Sequence, residues 1–313
     1  MPSVATITFN PCIDKSTTVD SLLPDKKLYC STFKNEAGGG GINVAKAIRR
    51  LGTSNLLAIY PAGGYTGILL NSILRKEKIK TEVIDTGVDT RENITVLDKS
   101  SNLQYRFITP GNPIKKTHWR RCLAAVEKMK AVSYIVVSGS VQMGCPKNIF
   151  ILLADIARKK KAKLIIDVPG KTILEYPIKG AYLLKPNLNE LSLLSGKSEL
   201  NGNDIVKAAK DLISKNISEV VVVSMGAAGA LLVTNDITEQ FMAPPVRRKS
   251  TVGAGDSMVA GIVMYLLSKK SIKDAVRFGI ACGTAATLRE GSQLFHPADV
   301  KALYNLMLRG NKR

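Results

Sequence analysis

The sequence predicts an α/β protein built on a mostly parallel sheet, and two patterns carry that expectation. Short apolar runs without polar alternation recur along the chain, and helix-like stretches separate them. ATITF (5–9), NLLAIY (55–60), YIVVSG (134–139), AKLIID (162–167), AYLLKP (181–186) and EVVVVS (219–224) are the runs. Strands of this kind are buried on both faces, as they are when helices cover a parallel sheet.

Taken in order, the elements between these runs are also legible. Gly38 to Gly41 lead into Ile42, Val44, Ala45, Ala47, Ile48 and Leu51, a helical spacing that stops at Gly52. Residues 13–36 and 81–109 interrupt the strand–helix rhythm. In the second of these, TEVIDT, ENITVLD and NLQYRFI alternate like short antiparallel strands, giving either one small separate sheet or two surface hairpins. Later, Val259, Ile262, Val263, Leu266 and Leu267 line one face of a helix that follows a turn at 253–256, and residues 272–288 read as another helix. Length alone allows one large domain or two, at roughly 150 residues per domain. With no repeat or linker in the sequence, a single domain over residues 1–313 is expected.

A chain that is 45% hydrophobic can bury a large core, which excludes disorder as the default. The 45 Lys plus Arg against 25 Asp plus Glu give +20, compatible with nucleic acid, an anionic membrane surface or phosphorylated substrates. Basic clusters such as Arg158 to Lys161 and Lys269-Lys270 fall at predicted helix ends, where cations complement the dipole. Aromatics make up only 5% of the chain, so basic residues interleaved with stacking platforms are absent. No nucleic-acid and no membrane partner is therefore expected. Five scattered cysteines, with no C-x-x-C pair, argue against a disulfide framework or structural zinc and fit a reducing cytoplasm. The start MPSVATITFN lacks a basic region followed by a long apolar one, so the expected location is cytoplasmic.

Two glycine motifs give false matches. Gly253-Ala254-Gly255 would need glycine at 258 for a dinucleotide fingerprint, and Met258 stands there. Ser195-Gly196-Lys197-Ser198 ends like a phosphate-binding loop, but the first glycine it needs is Leu191. What TVGAGD does offer is a run of unobstructed backbone N–H groups at a helix start, where orphan donors and the dipole attract an anion. Asp256 in that first turn is either a helix-start acid or a base able to take the proton of an attacking hydroxyl. The four glycines before residue 42 are either a flexible helix entry or room for a ligand, with Asn43 free to bond sugar hydroxyls. In LKPNLNEL (184–191), Asn187 is either a helix cap or, with Lys185 and Glu190, part of a phosphate and magnesium site. His118 and His296 stand apart from any acid or cysteine cluster and read as structural.

These segments together resemble the ribokinase-like carbohydrate kinases, the PfkB family. GGGGINVAKAIRRLG is similar to the family's first signature and STVGAGDSMVAG to its second, with LKPNLNEL and VVVSMGAAGA (221–230) between them. NPCID, YPAGGYTG, TREN, QYRFITPG, VSGS, MAPPV and VRFGIACGTAAT point within it to kinases of fructose 6-phosphate. The resemblance implies a ribokinase-like three-layer fold: a mostly parallel central sheet covered by helices, plus a small β-sheet lid from residues 13–36 and 81–109. It implies ATP, Mg2+ and a monovalent cation, K+, and a homodimer formed through the lid.

Carried over residue by residue, the resemblance implies that Asp256 is the catalytic base and that Gly253, Ala254 and Gly255 stabilise the transferring phosphoryl group. Asp14, Gly39, Gly40 and Asn43 would hold sugar hydroxyls, and Lys27, Arg91 and Ser140 the substrate phosphate. Lys185, Asn187, Ser224, Gly226, Gly229 and Thr251 would serve ATP, and Glu190 and Asn187 magnesium. Ser250, Val252, Ala286 and Gly291 match the monovalent-cation places. Relatives acting on fructose 1-phosphate or tagatose 6-phosphate commonly carry lysine where this chain has Gly40. Tyr29 departs from the fructose 6-phosphate pattern, which tends to place an arginine there. Kinases of those other sugar phosphates, and a non-catalytic sugar-phosphate or nucleotide sensor, remain the alternatives.

Overall fold

The computed structural model describes residues 3–289 and 293–310. The chain opens with β1 (Val4–Ile7), β2 (Cys12–Val19) and β3 (Lys34–Gly38), then α1 (Gly40–Arg50), β4 (Leu56–Ala62) and α2 (Gly64–Lys76). Next come β5 (Thr81–Asp85), β6 (Glu92–Asp98) and β7 (Leu103–Ile108), followed by α3 (Lys116–Lys128), β8 (Tyr134–Ser138), α4 (Ile149–Lys160), β9 (Lys163–Asp167) and α5 (Gly170–Glu175). The rest comprises β10 (Ala181–Leu184), α6 (Leu188–Ser195), α7 (Asn203–Ser214), β11 (Ser218–Ser224), β12 (Ala230–Val233), β13 (Thr238–Phe241), α8 (Ala254–Leu267), α9 (Ile272–Thr287) and α10 (Pro297–Gly310).

Nine strands form one sheet in the order β13-β12-β11-β10-β9-β8-β1-β4-β5. The pairs from β5 through β11 are parallel, and β12 and β13 are added antiparallel at one edge. Successive residues of a strand point to opposite faces. Tyr134 and Val136 accordingly join the core beneath α1, α8 and α9, while Ile135 and Val137 join the one beneath α3 and α4. That division explains why the strand sequences read as unbroken apolar runs: both faces are covered.

The second sheet has the order β3-β2-β6-β7 and stands on its own beside the first. One expectation needs correction here. TEVIDT does not belong to the small sheet; Thr81–Asp85 pairs parallel with β4, Ala58 opposite Thr81, as the edge of the large one. Ile84, at 1% exposure, and half-buried Val83 pack into the cores on opposite faces of that sheet, and the sequence pattern cannot say which sheet receives the strand. Within the small sheet β2 and β6 run parallel, because the chain visits the large sheet through β4, α2 and β5 before returning.

Helices α8 and α9 touch backbone to backbone. A Cβ on Gly261 would lie 2.7 Å from Cys282 Sγ and 2.9 Å from Gly279 Cα, and one on Gly283 would lie 3.0 Å from the carbonyl oxygen of Ala254. All five cysteines are free, and among the described residues no helix is long and apolar enough to cross a membrane.

Candidate active site

The polar groups converge at the carboxyl ends of the parallel strands, the edge where open α/β sheets bind ligands. There Gly253 starts α8 with φ of 74°, a left-handed conformation that glycine adopts at little cost. The turn leaves the first N–H groups of α8 pointing out of the helix end. Asp256 follows in the first turn.

Two neighbours fix its carboxylate. Ser138 Oγ, at the end of β8, donates to Oδ1 at 2.9 Å, and Asn43 Nδ2, in α1, donates to Oδ2 at 3.0 Å. The consecutive glycines make this meeting possible. A Cβ on Gly40 would run into Ser138 Oγ and lie 2.5 Å from Gly139 N, and one on Gly41 would collide with the carbonyl oxygen of Ile7. Glycine is thus needed for α1 to enter against the strand ends and bring Asn43 to the acid. Asn43 Oδ1 is buried and has no hydrogen-bond partner.

Behind Asp256 lies a buried ion pair, Lys185 Nζ to Asp167 Oδ1 at 3.0 Å. Burial works against the Lys185 cation, but Asp167, with Glu190 and Asp256, outweighs it and raises the pKa above its usual value. Burial, reinforced by the Asp167 charge, raises Asp256 to about 6, against the opposing hydrogen bonds from Asn43 and Ser138. At neutral pH Asp256 is therefore ionised yet a far better proton acceptor than an ordinary aspartate.

Asn187 and Glu190 form a capping box at the start of α6. Asn187 Oδ1 accepts from Glu190 N–H, and Glu190 Oε2 from Asn187 N–H, both at 2.9 Å. The capping reading of Asn187 is correct, and among the described residues no hydrogen bond or ion pair engages Glu190 Oε1. Burial raises the Glu190 pKa, partly offset by the Asn187 backbone hydrogen bond. Lys185, Asn187, Ser224, Gly226, Gly229 and Thr251 all line one cleft of about 640 Å³, which Gly255 joins to the Asp256 end and Ala243 to Val246 wall off on another side.

On the lid side, Asp14 on β2 lies opposite Asn93 on β6. Arg91 donates to the carbonyl oxygens of Thr109 at 2.8 Å and Asn10 at 3.1 Å and to Asn93 Oδ1 at 3.2 Å, while its Nε is buried without a partner. Ser140 Oγ accepts from Asn10 Nδ2 at 3.0 Å. Gly39 caps α1, between Gly38 of the lid and the first helical turn. Lys27 is exposed in the loop between β2 and β3, and Tyr29 is 91% exposed in the same loop; no hydrogen bond or ion pair ties either to the cluster. The N–H groups of Lys249 and Ser250 both point at the Thr287 carbonyl oxygen, which holds Ser250 and Val252 against the end of α9 that carries Ala286. Gly291 lies outside the described residues.

Sequence reasoning missed Asp167, Ser138, Asn93 and Asn10. Asp167 and Ser138 each end a buried strand run, the position from which a side chain reaches the carboxyl edge of the sheet, so the signal was present. Asn93 and Asn10 lie in the TREN and NPCID motifs, but nothing in either motif singles them out from their neighbours. Among the described residues no group of three or more His, Cys, Asp or Glu is placed to hold a metal by itself.

A helix start that can cradle an anion, a carboxylate of raised basicity beside it, a buried lysine and a large cleft opening onto both define a phosphoryl-transfer class of protein. The chain belongs to the pfkB family of carbohydrate kinases, whose family model matches residues 6–299. It is 36% identical to ATP-dependent 6-phosphofructokinase isozyme 2 of Escherichia coli (strain K12), over 99% of this chain and 100% of that one. The identity is also 36% with the Mycobacterium tuberculosis protein of the same name, covering 97% of this chain and 90% of that one. Among solved structures, phosphofructokinase-2 from Escherichia coli in complex with potassium superposes with a TM-score of 0.93, at 36% identity and with 99% and 100% of the chains covered. The same enzyme in complex with fructose-6-phosphate superposes with a TM-score of 0.89, at 35% identity and with the same coverage.

Proposed function

We propose that the protein is an ATP-dependent 6-phosphofructokinase of the cytoplasm, transferring the γ-phosphoryl group of ATP to the carbon-1 hydroxyl of fructose 6-phosphate. The observation that carries this reading is the setting of Asp256: clamped by Asn43 and Ser138, raised to about 6, and set at the Gly255 end of the nucleotide-sized cleft. The relatives named for this activity support the choice of sugar.

In this reaction Asp256 accepts the hydroxyl proton as the sugar oxygen bonds to the γ-phosphorus and the bond from phosphorus to ADP breaks. The N–H groups at the start of α8 stabilise the charge on the transferring group, and Lys185 steadies the phosphates. A magnesium ion bound with ATP would supply charge neutralisation at its phosphates. Glu190, through its open Oε1, and Asn187 would hold the ion by way of its waters, as suits a site with few protein carboxylates. Asp14, Gly39, Gly40 and Asn43 face the sugar in this scheme, Arg91, Ser140 and Lys27 its phosphate, and Ser250, Val252 and Ala286 a potassium ion through carbonyl oxygens. Gly40 has no room for the lysine of the fructose 1-phosphate relatives, which favours the 6-phosphate.

The lid supplies the oligomer in this reading. Every residue of β7 is exposed, with Leu103, Phe107 and Ile108 at 58%, 54% and 63%, and an open apolar strand edge of that kind invites a second copy. The deciding experiment is magnesium- and ATP-dependent ADP release across fructose 6-phosphate, fructose 1-phosphate, tagatose 6-phosphate and unphosphorylated hexoses, with Asp256→Asn as blank. Preference for fructose 6-phosphate supports the reading. Another preferred sugar phosphate would move the substrate and keep the mechanism, and no turnover above the blank would make the protein a sensor.

A further inference from the structure

The lid contains a side-chain relay that the reaction scheme leaves unused. Asn93 is buried at the middle of it, with every polar atom of its amide engaged. Its Oδ1 accepts from Arg91 Nη1 at 3.2 Å, and its Nδ2 donates to Asp14 Oδ1 at 2.9 Å and towards Cys12 Sγ at 3.2 Å. The Cys12 thiol adds its own hydrogen bond to Asp14 Oδ1 at 3.3 Å. Burial and the adjacent Asp14 carboxylate push the Cys12 thiol far up, so it stays protonated and remains a donor.

The consequence for Asp14 is an asymmetric carboxylate. Oδ1 takes two protein donors, whereas Oδ2 has none among the described residues. Oδ2 sits over Gly38 on the neighbouring strand, where a Cβ would collide with it. Arg91 is divided in a similar way. Of the five N–H groups of a guanidinium, three go to Asn93, Thr109 and Asn10, and Nε, buried, is left over. An amide is the one uncharged group of this size with an acceptor for the guanidinium at one end and donors for the carboxylate at the other. The parallel register that sets Asp14 directly opposite Asn93 makes the span short enough for a single side chain.

We propose that Asn93 is a positioning and specificity-determining residue: it locks Asp14 and Arg91 at a fixed spacing, so that a sugar must present a hydroxyl and a phosphate in the same register to engage both. This rests on the phosphofructokinase reading, in which Asp14 meets the sugar and Arg91 its phosphate. Asn93 touches neither substrate in this scheme and acts through the two groups it holds.

The test begins with the unaltered protein, whose turnover of fructose 6-phosphate checks the underlying reading by itself. With that turnover in hand, Asn93→Asp keeps the shape and the acceptor for Arg91 but turns the donors facing Asp14 into a repelling oxygen. The expected result is a KM for fructose 6-phosphate raised about 10-fold or more, with the KM for ATP within about twofold, since a hydrogen bond to a charged group is lost. Calorimetric titration with fructose 6-phosphate in the absence of ATP should show the same weakening, and the preference in kcat/KM for fructose 6-phosphate over fructose should shrink. An unchanged sugar KM overturns the proposal. So does a loss spread equally over both KM values and the melting temperature, which would make Asn93 a structural strut only. Cys12→Ala removes the other donor to Oδ1 without adding charge and serves if the aspartate variant fails to fold. Its sugar KM should rise about threefold with the ATP KM unchanged, and no rise counts against the proposal.

Discussion

Asn43 and Asp256, separated by 213 positions in the chain, meet at 3.0 Å with the amide donating to the carboxylate. One belongs to the helix that leaves the small sheet and the other to the helix that starts at the Gly253 turn, so the contact ties the small-sheet side of the site to the anion-cradling turn. Replacing Asp256 by Asn keeps the size but removes the proton acceptor. Turnover should fall by about 100-fold or more, while the KM for either substrate changes far less, as steady-state kinetics will read. Undiminished kcat would reject Asp256 as the base.

The raised pKa of Asp256 makes two pH predictions. The base must be ionised, so kcat/KM for the sugar phosphate should fall on the acid side with a midpoint of about 6. Stability runs the other way. A carboxyl whose folded pKa lies above its unfolded value stabilises the fold below the unfolded value, near 3.8, and this contribution is lost as pH climbs through about 6. Asp256→Asn should therefore raise the stability at pH 7, by about 1–2 kcal/mol once the half-buried position of the residue is allowed for. Its advantage over the native protein should shrink towards pH 4, and a constant advantage across that range would argue against a strained aspartate.

Asp167 separates the acid limb of the enzyme from the titration of the substrate phosphate. Its charge is the second cause of the raised Asp256 pKa, and it is the partner that keeps buried Lys185 charged. Asp167→Asn should move the acid limb of kcat/KM to lower pH, which a limb due to the substrate alone would not do. The variant should also lose about 3 kcal/mol of stability, because a buried lysine is left without its counter-charge. Denaturant titration and the pH profile read the two effects separately.

Gly40→Ala tests the close approach at the start of α1. The added methyl meets Ser138 Oγ and the backbone of Gly139, which cannot yield as a flexible side chain would. Pushing Ser138 away unfastens Oδ1 of Asp256, so kcat should fall at least 10-fold, with a stability loss of about 1–3 kcal/mol from overpacking. Normal kcat in a folded variant would show that Ser138 does not need its present position.

The large sheet was readable because short apolar runs such as YIVVSG and EVVVVS alternate with helix-like stretches, as strands covered on both sides do, and α1 and α8 because glycine turns precede them. The lid was harder. Thr81–Asp85 and Glu92–Asp98 both read as short strands mixing polar and apolar residues, yet one ends in the large sheet and the other beside β2, since pairing partners are not encoded in a strand's own periodicity. At the site, Asp256, Lys185 and Asn187 stood out through their motifs. Asp167 ends a buried strand run, but its partner Lys185, 3.0 Å away, comes from the end of the neighbouring strand, and Asn93 meets Asp14 through a register that no local pattern reveals.

The bare backbone contact between α8 and α9 has a consequence for how the reaction is timed. Two helices already touching through Gly261, Gly279 and Gly283 have no slack, so α8 cannot advance to meet an incoming sugar. The base is an anvil rather than a hammer. With α8 held in place, differences in rate among sugars should trace to how the surrounding groups hold each one against Asp256.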